Sequence, residues 1–118
     1  MLAALKALFA SPRPRFKTVD LEARLASPHG GQGRGEIEYA AYAAGASKLE
    51  IELFGLRPED VVVSIGSSFT QRFTPRGGRV DVHLSSLVGD RFPACAPGDP
   101  VEVRQSGRLV LSGAFAHD

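Results

Sequence analysis

The sequence predicts an all-β domain, a small antiparallel β-sandwich of about eight strands, preceded by a short amphipathic helix. Three observations carry that prediction. The chain has 118 residues, 43% of them hydrophobic, which suits one core without metal or disulfide support. From Phe16 onward apolar residues recur with a period of two rather than 3.6, as half-buried strands require. Short glycine- and proline-containing turn sequences interrupt this alternation at regular spacing, the mark of a sandwich or barrel.

The first ten residues, MLAALKALFA, hold Leu2, Leu5, Leu8 and Phe9 at helical spacing around a single charge, Lys6. Pro12 and Pro14 stop the helix, and Pro-Arg-Pro-Arg reads as an extended linker, because a residue before proline is pushed out of the α region. Residues 1–15 are therefore a helical arm with its linker, and 16–118 the sandwich domain. In Thr18 to Leu25, Val19, Leu21, Ala23 and Leu25 share one strand face, and Thr18, Asp20, Glu22 and Arg24 the other. The glycine loop SPHGGQGRG follows. Further strands are predicted at Glu36 to Ala43, Lys48 to Phe54, Val61 to Ile65, Phe69 to Thr74, Arg79 to Ser86, Val101 to Gln105 and Arg108 to Phe115. Between them lie AGAS, LRPED, PRGG, APGDP and QSG, all turn chemistry.

The run KLEIELFGL, VVVSIG, GGRVDVHLSS, GDRFPACAPGDPVEVR and LVLSGAF resembles the β-sandwich modules of the CHRD type found in many bacterial proteins, over about residues 33 to 115. The resemblance lies in strands and glycines. It implies a sandwich with a non-catalytic role and carries over no site residues. The His-x-His element associated with that family is missing, and only His83 stands near its place.

Composition narrows the function classes. Cys95 is the only cysteine, so a disulfide-stapled scaffold is excluded. A formal charge of +1 argues against a uniformly basic nucleic-acid binder. That charge is a cancellation: residues 1–35 carry +4, residues 36–66 carry −4 and residues 67–118 carry +1. A basic arm before an acidic hairpin suits head-to-tail contact between copies or docking on a polar partner.

Several motifs invite chemistry and fail on detail. Gly30 and Gly35 have P-loop spacing, but Glu36 stands where lysine is needed and a strand follows instead of a helix. Asp81, His83 and Ser85 alternate on one strand, where neighbouring positions lie roughly 6.5 to 7 Å apart, too far for a triad. His29, His83 and His117 are scattered, so no metal site and no cofactor are expected. If the second and third strands pair as a hairpin, Glu36, Glu38, Glu50 and Glu52 share one face, which repels itself unless arginines or a basic partner cover it. Calcium suits them poorly, because they spread along a flat sheet. Phe69, Arg72, Phe73, Arg76 and Arg79 form a Phe/Arg stretch that could serve as a single-stranded nucleic-acid platform, although Phe69 and Phe73 fall on the prospective core face.

The arm is the element a sandwich does not need. It is too short and too interrupted by Lys6 for a cleavable signal peptide, and far short of the ~20 apolar residues of a membrane span. The expected role is therefore a cytoplasmic, non-enzymatic interaction module, an accessory or structural subunit. Leu2, Leu5, Leu8 and Phe9, with Arg13 and Arg15, are expected to anchor it to another protein subunit or to a second copy, the nearest competing reading being that the helix caps the open end of its own sandwich. A second reading lays the basic arm on an anionic membrane surface. No small-molecule substrate is expected.

Overall fold

A computed structural model describes residues 16–118; the predicted helical arm and Pro/Arg linker, with Leu2, Leu5, Leu8, Phe9, Arg13 and Arg15, lie outside the described residues. Eight strands form: β1 (Lys17–Ala26), β2 (Arg34–Tyr42), β3 (Ser47–Phe54), β4 (Val61–Ile65), β5 (Phe69–Phe73), β6 (Val80–Ser85), β7 (Pro100–Gln105) and β8 (Arg108–His117). Each lies within two residues of the predicted boundaries, and every pairing is antiparallel. A single 3-10 turn, Ser86–Val88, follows β6. No helix among the described residues is long and apolar enough to cross a membrane.

The arrangement departs from two separate sandwich layers. All eight strands belong to one sheet in the order β5-β4-β7-β8-β1-β2-β3-β6, curled until nearly barrel-shaped. Strand β8 makes the sheet continuous. It pairs with β7 from Arg108 to Ala114, and its later residues pair with β1 from Ser112 to His117. Near the turn, Val103 faces Leu111 while Arg104 faces Leu109, so Val110 is a bulge residue that bends the strand. At Gly113 the backbone of β1 comes so close that an added Cβ would collide with the Arg24 carbonyl oxygen and sit 2.8 Å from Leu25 Cδ2. Glycine is required here by close approach rather than by conformation.

Curling puts one face of every strand into a single core. Leu21, Ala23, Ile37, Leu49, Ile51, Leu53, Val61, Val63, Val101, Val103 and Leu111 are fully shielded from solvent, and Phe69 and Phe115 join them. Each fully buried aliphatic side chain contributes ~1.5 to 3 kcal/mol. The segment after β6 is drawn onto this core: the Asp90 carboxylate accepts from the Ser85 amide at 2.9 Å, and Phe92 meets the Tyr39 ring edge-on with centroids 6.5 Å apart. Cys95 is buried there, and burial, then the charge of Asp99, pushes its thiol up to about 11. This thiol is packing material, inert as a nucleophile near neutral pH.

Gln105 is the only buried polar residue among those described. It occupies an inward position of β7, and its amide is fully used. Nε2 donates to the Arg57 and Glu59 carbonyls at 2.9 Å each, and Oε1 accepts from the Arg57 amide at 3.4 Å. The β3–β4 loop is thereby fastened to the β7–β8 hairpin.

Candidate functional site

The outer face of β1, β2, β3 and β6 carries a dense set of charged side chains. Antiparallel pairing sets its positions in rows. One row runs Arg24, Glu36, Glu52, Asp81, and the next Glu22, Glu38, Glu50, His83. Glu36 stands directly opposite Glu52 and Glu38 directly opposite Glu50, so the four predicted glutamates share one face. Like charges in directly opposed positions are destabilising.

Cations relieve only part of this charge. Arg24 Nε lies 3.4 Å from Glu22 Oε1, and Arg79 Nη2 lies 3.8 Å from Asp81 Oδ2. Lys17 Nζ lies 3.4 Å from Asp20 Oδ2, and the bond holds the lysine above its ordinary range against a lowering by desolvation. The His83 ring bridges two carboxylates, with Nε2 3.2 Å from Asp81 Oδ1 and Nδ1 3.5 Å from Glu50 Oε2. Glu36, Glu38 and Glu52 have no cationic side chain within 4.0 Å among the described residues. The expectation that the protein's own arginines neutralise this face is met at Glu22 and Asp81 but not at these three.

Desolvation first, and crowding second, act on Glu36 and Glu38. Glu36 is held above the ordinary carboxylate range by desolvation and then by the charge of Glu22. Glu38 is raised by desolvation and then by Glu50 and Glu22. A carboxyl raised in the folded state binds its proton more tightly there than in the unfolded chain. Its stabilising contribution is complete below the unfolded value of 4.5 and is lost as pH rises through the folded one. Glu38→Gln therefore stabilises the domain at pH 7, by about 0.5 kcal/mol after solvent screening, a rise in Tm of roughly 2 °C. Thermal melts at pH 4 and pH 7 check this: the gain is present at pH 7 and shrinks at pH 4.

Three carboxylates, those of Glu22, Glu36 and Glu38, come within 4.8 Å of one another. They converge more than a flat spread of glutamates implies, and Glu22 is the member that sequence reasoning missed. Its outward position in β1 is legible from alternation. The β1–β2 register that sets it beside Glu38 is not, because the glycine loop between the strands has no fixed turn type.

The remaining motifs resolve as follows. Asp81 and His83 do touch, which corrects the inference from strand spacing: both side chains are long enough to lean along the strand and meet. Ser85 does not join them, because its hydroxyl accepts from the Leu87 amide and caps the 3-10 turn. In the Phe/Arg stretch, Phe69 is buried and Phe73 packs against the core. Arg72 lies 4.0 Å from Asp60, Arg76 pairs with Arg79 through the backbone of the turn, and the Arg79 guanidinium stands 4.8 Å from the centroid of the Phe54 ring. Phe69 is thus taken up by the core, whereas Phe73 is half-buried and borders an open depression with Arg76 and Arg79. The glycine loop closes on Ser27, whose Oγ accepts from the His29 and Gly31 amides. Beside it, a cleft of about 490 Å³ is bordered by His29, Arg57, Glu59, Gln105 and Arg108; it escaped sequence reasoning because three loops distant in the chain build it.

The chain matches no protein-family model, no curated protein and no solved structure. The acidic face is thus read on its own geometry. Carboxylates on a sheet, two residues apart along each strand and one strand apart across it, have the charge and spacing to accept hydrogen bonds from guanidinium and ammonium groups. Arginine suits them best, since its planar fork takes a carboxylate through two donors.

Proposed function

We propose that this domain is a non-enzymatic interaction module, an accessory or structural subunit of a larger protein assembly. Its N-terminal arm anchors it, and its acidic face receives a basic, arginine-containing segment of protein. The observation that carries this reading is the set of directly opposed glutamates, Glu36 with Glu52 and Glu38 with Glu50, none of which has a lysine or arginine within 4.0 Å among the described residues. A sheet that needed only to stay dissolved would gain stability by alternating charges across these strands. A bound cationic segment turns the same repulsion into attraction.

Two further points favour binding over catalysis. The hydroxyl nearest His83 in sequence is committed to the Leu87 amide, and the histidine's two nitrogens face carboxylates, so no nucleophile stands beside a base in this cluster. The resemblance to CHRD-type modules, carried by strands and glycines alone, agrees with a non-catalytic domain.

The test is a titration of full-length protein with a nona-arginine peptide, followed by backbone amide shifts. Saturable shifts confined to residues 20–24, 36–40, 48–52 and 81–83 are expected. They weaken in Glu36→Gln/Glu38→Gln and collapse at 1 M salt, where the screening length is about 3 Å. Shifts scattered over the whole surface, or none at low salt, overturn the reading.

A further inference from the structure

Strand β1 begins, β2 ends, β3 begins and β6 ends at the same edge of the molecule. The only large hydrophobic residues exposed among those described, Phe16, Leu87 and Val88, are 76%, 71% and 78% exposed and all lie at this end. Two bonds tie them to it: the Phe16 carbonyl accepts from the Ala43 amide at 3.0 Å, and Ser86 Oγ, next to Leu87, accepts from the Ser47 amide at 2.9 Å. Single exposed apolar residues need no explanation, but these three bracket one sheet end, β1 and β6 being three strand spacings or about 14 Å apart. The acidic face starts beside them with Asp20 and continues through the rows of Glu22 and Glu36.

Residues 1–15 join the domain at that same end and complement it twice over. Leu2, Leu5, Leu8 and Phe9 match the apolar end, and Lys6, Arg13 and Arg15, with no acidic residue among them, match the carboxylates. Were the arm to adopt the helix its apolar spacing predicts, its ten residues would span about 15 Å, close to the width of the sheet end. From the reading that the acidic face takes a basic segment, we infer that its occupant is the arm of a second copy, and that two copies exchange arms reciprocally as a symmetric dimer. The arm's own domain is the poorer host. On the sequence alone, proline at 12 and 14 disfavours the helical region for Ser11 and Arg13, and an extended linker of five residues at ~3.1 Å each would hold the apolar decad about 15 Å from its own sheet. Because arm and receiving surface share one end of the molecule, two copies meeting end to end satisfy both arms at once. That closes as a two-fold dimer rather than growing head to tail.

Charge reversal of the full chain tests this. At low salt the wild-type protein is expected to run at twice the monomer mass by light scattering, and Arg13→Glu/Arg15→Glu and Glu36→Lys/Glu38→Lys each to weaken dimerisation at least ~10-fold. Mixing the two variants restores a 1:1 dimer, since each arm then meets an opposite face; this also shows that both variants are folded. A wild-type monomer at all concentrations, an open-ended oligomer, unaltered dimerisation of either variant alone, or no heterodimer in the mixture overturns the inference. The nona-arginine titration separates the two claims: if the peptide binds the acidic face of a protein that stays monomeric, the interaction reading stands and the arm exchange falls.

Discussion

Gly113→Ala is expected to destabilise the domain by ~3 to 5 kcal/mol, lowering Tm by more than about 10 °C or abolishing the cooperative transition. The added methyl has nowhere to go. It meets the Arg24 carbonyl and the Leu25 side chain of the neighbouring strand, and both belong to the pairing that makes one sheet out of two halves. Relief requires β1 and β8 to separate at the point where the sheet turns. A control isolates the mechanism. Gly45→Ala, in the β2–β3 turn, has φ +94° and open space around the new carbon, so it costs only the ~1 to 2 kcal/mol of left-handed backbone strain. Thermal melts of the two variants distinguish a collision from a conformational preference; equal losses would sink the close-approach argument.

Gln105→Leu is the second large expected effect, about 2 to 4 kcal/mol of lost stability. Leucine keeps the volume and the apolar surroundings, but it strands the Arg57 and Glu59 carbonyls and the Arg57 amide that the glutamine amide satisfies. A buried polar group left without a partner costs ~1 to 3 kcal/mol, and three are involved, of which the loop can turn some toward water. Hydrogen exchange reads the local part of the response. Amides of residues 56–60 are expected to lose protection beyond the global change, while those of Val61 to Ile65 follow global stability. Uniform loss across both segments would mean that the glutamine does not hold this loop in particular.

Strand content was legible because it depends on nearest neighbours. Alternation such as Val19, Leu21, Ala23, Leu25 against Thr18, Asp20, Glu22, Arg24 can be read from eight consecutive residues, and the turn sequences mark where each strand stops. Joining the strands into one sheet could not be read so, because it depends on β8 pairing with β7 on one side and with β1 on the other. Gly113 is the local trace of that junction, and one glycine in a strand is compatible with several explanations. The candidate site divides in the same way. Glu36, Glu38, Glu50 and Glu52 were within reach because a short turn connects their strands. Glu22 and the His83 bridge needed the registers of β1 with β2 and of β3 with β6, which pair across long loops. The exposed apolar end was likewise hidden, since Phe16 and Leu87 meet one edge only after β1, β2, β3 and β6 are laid side by side.

The join that β8 makes between the two halves of the sheet also bears on how quickly the chain finds its fold. Leu21 faces His117, and Ala23 faces Phe115, so the ladder that joins the halves brings together segments from opposite ends of the domain. Bringing such distant segments together carries a loop-closure entropy that is offset only once the contacts between them form. Hairpins β2–β3 and β7–β8 demand little of this and can assemble early on microsecond timescales. The β1–β8 ladder is therefore expected to set the pace, with folding in milliseconds to seconds as for high-contact-order β proteins, which stopped-flow refolding checks.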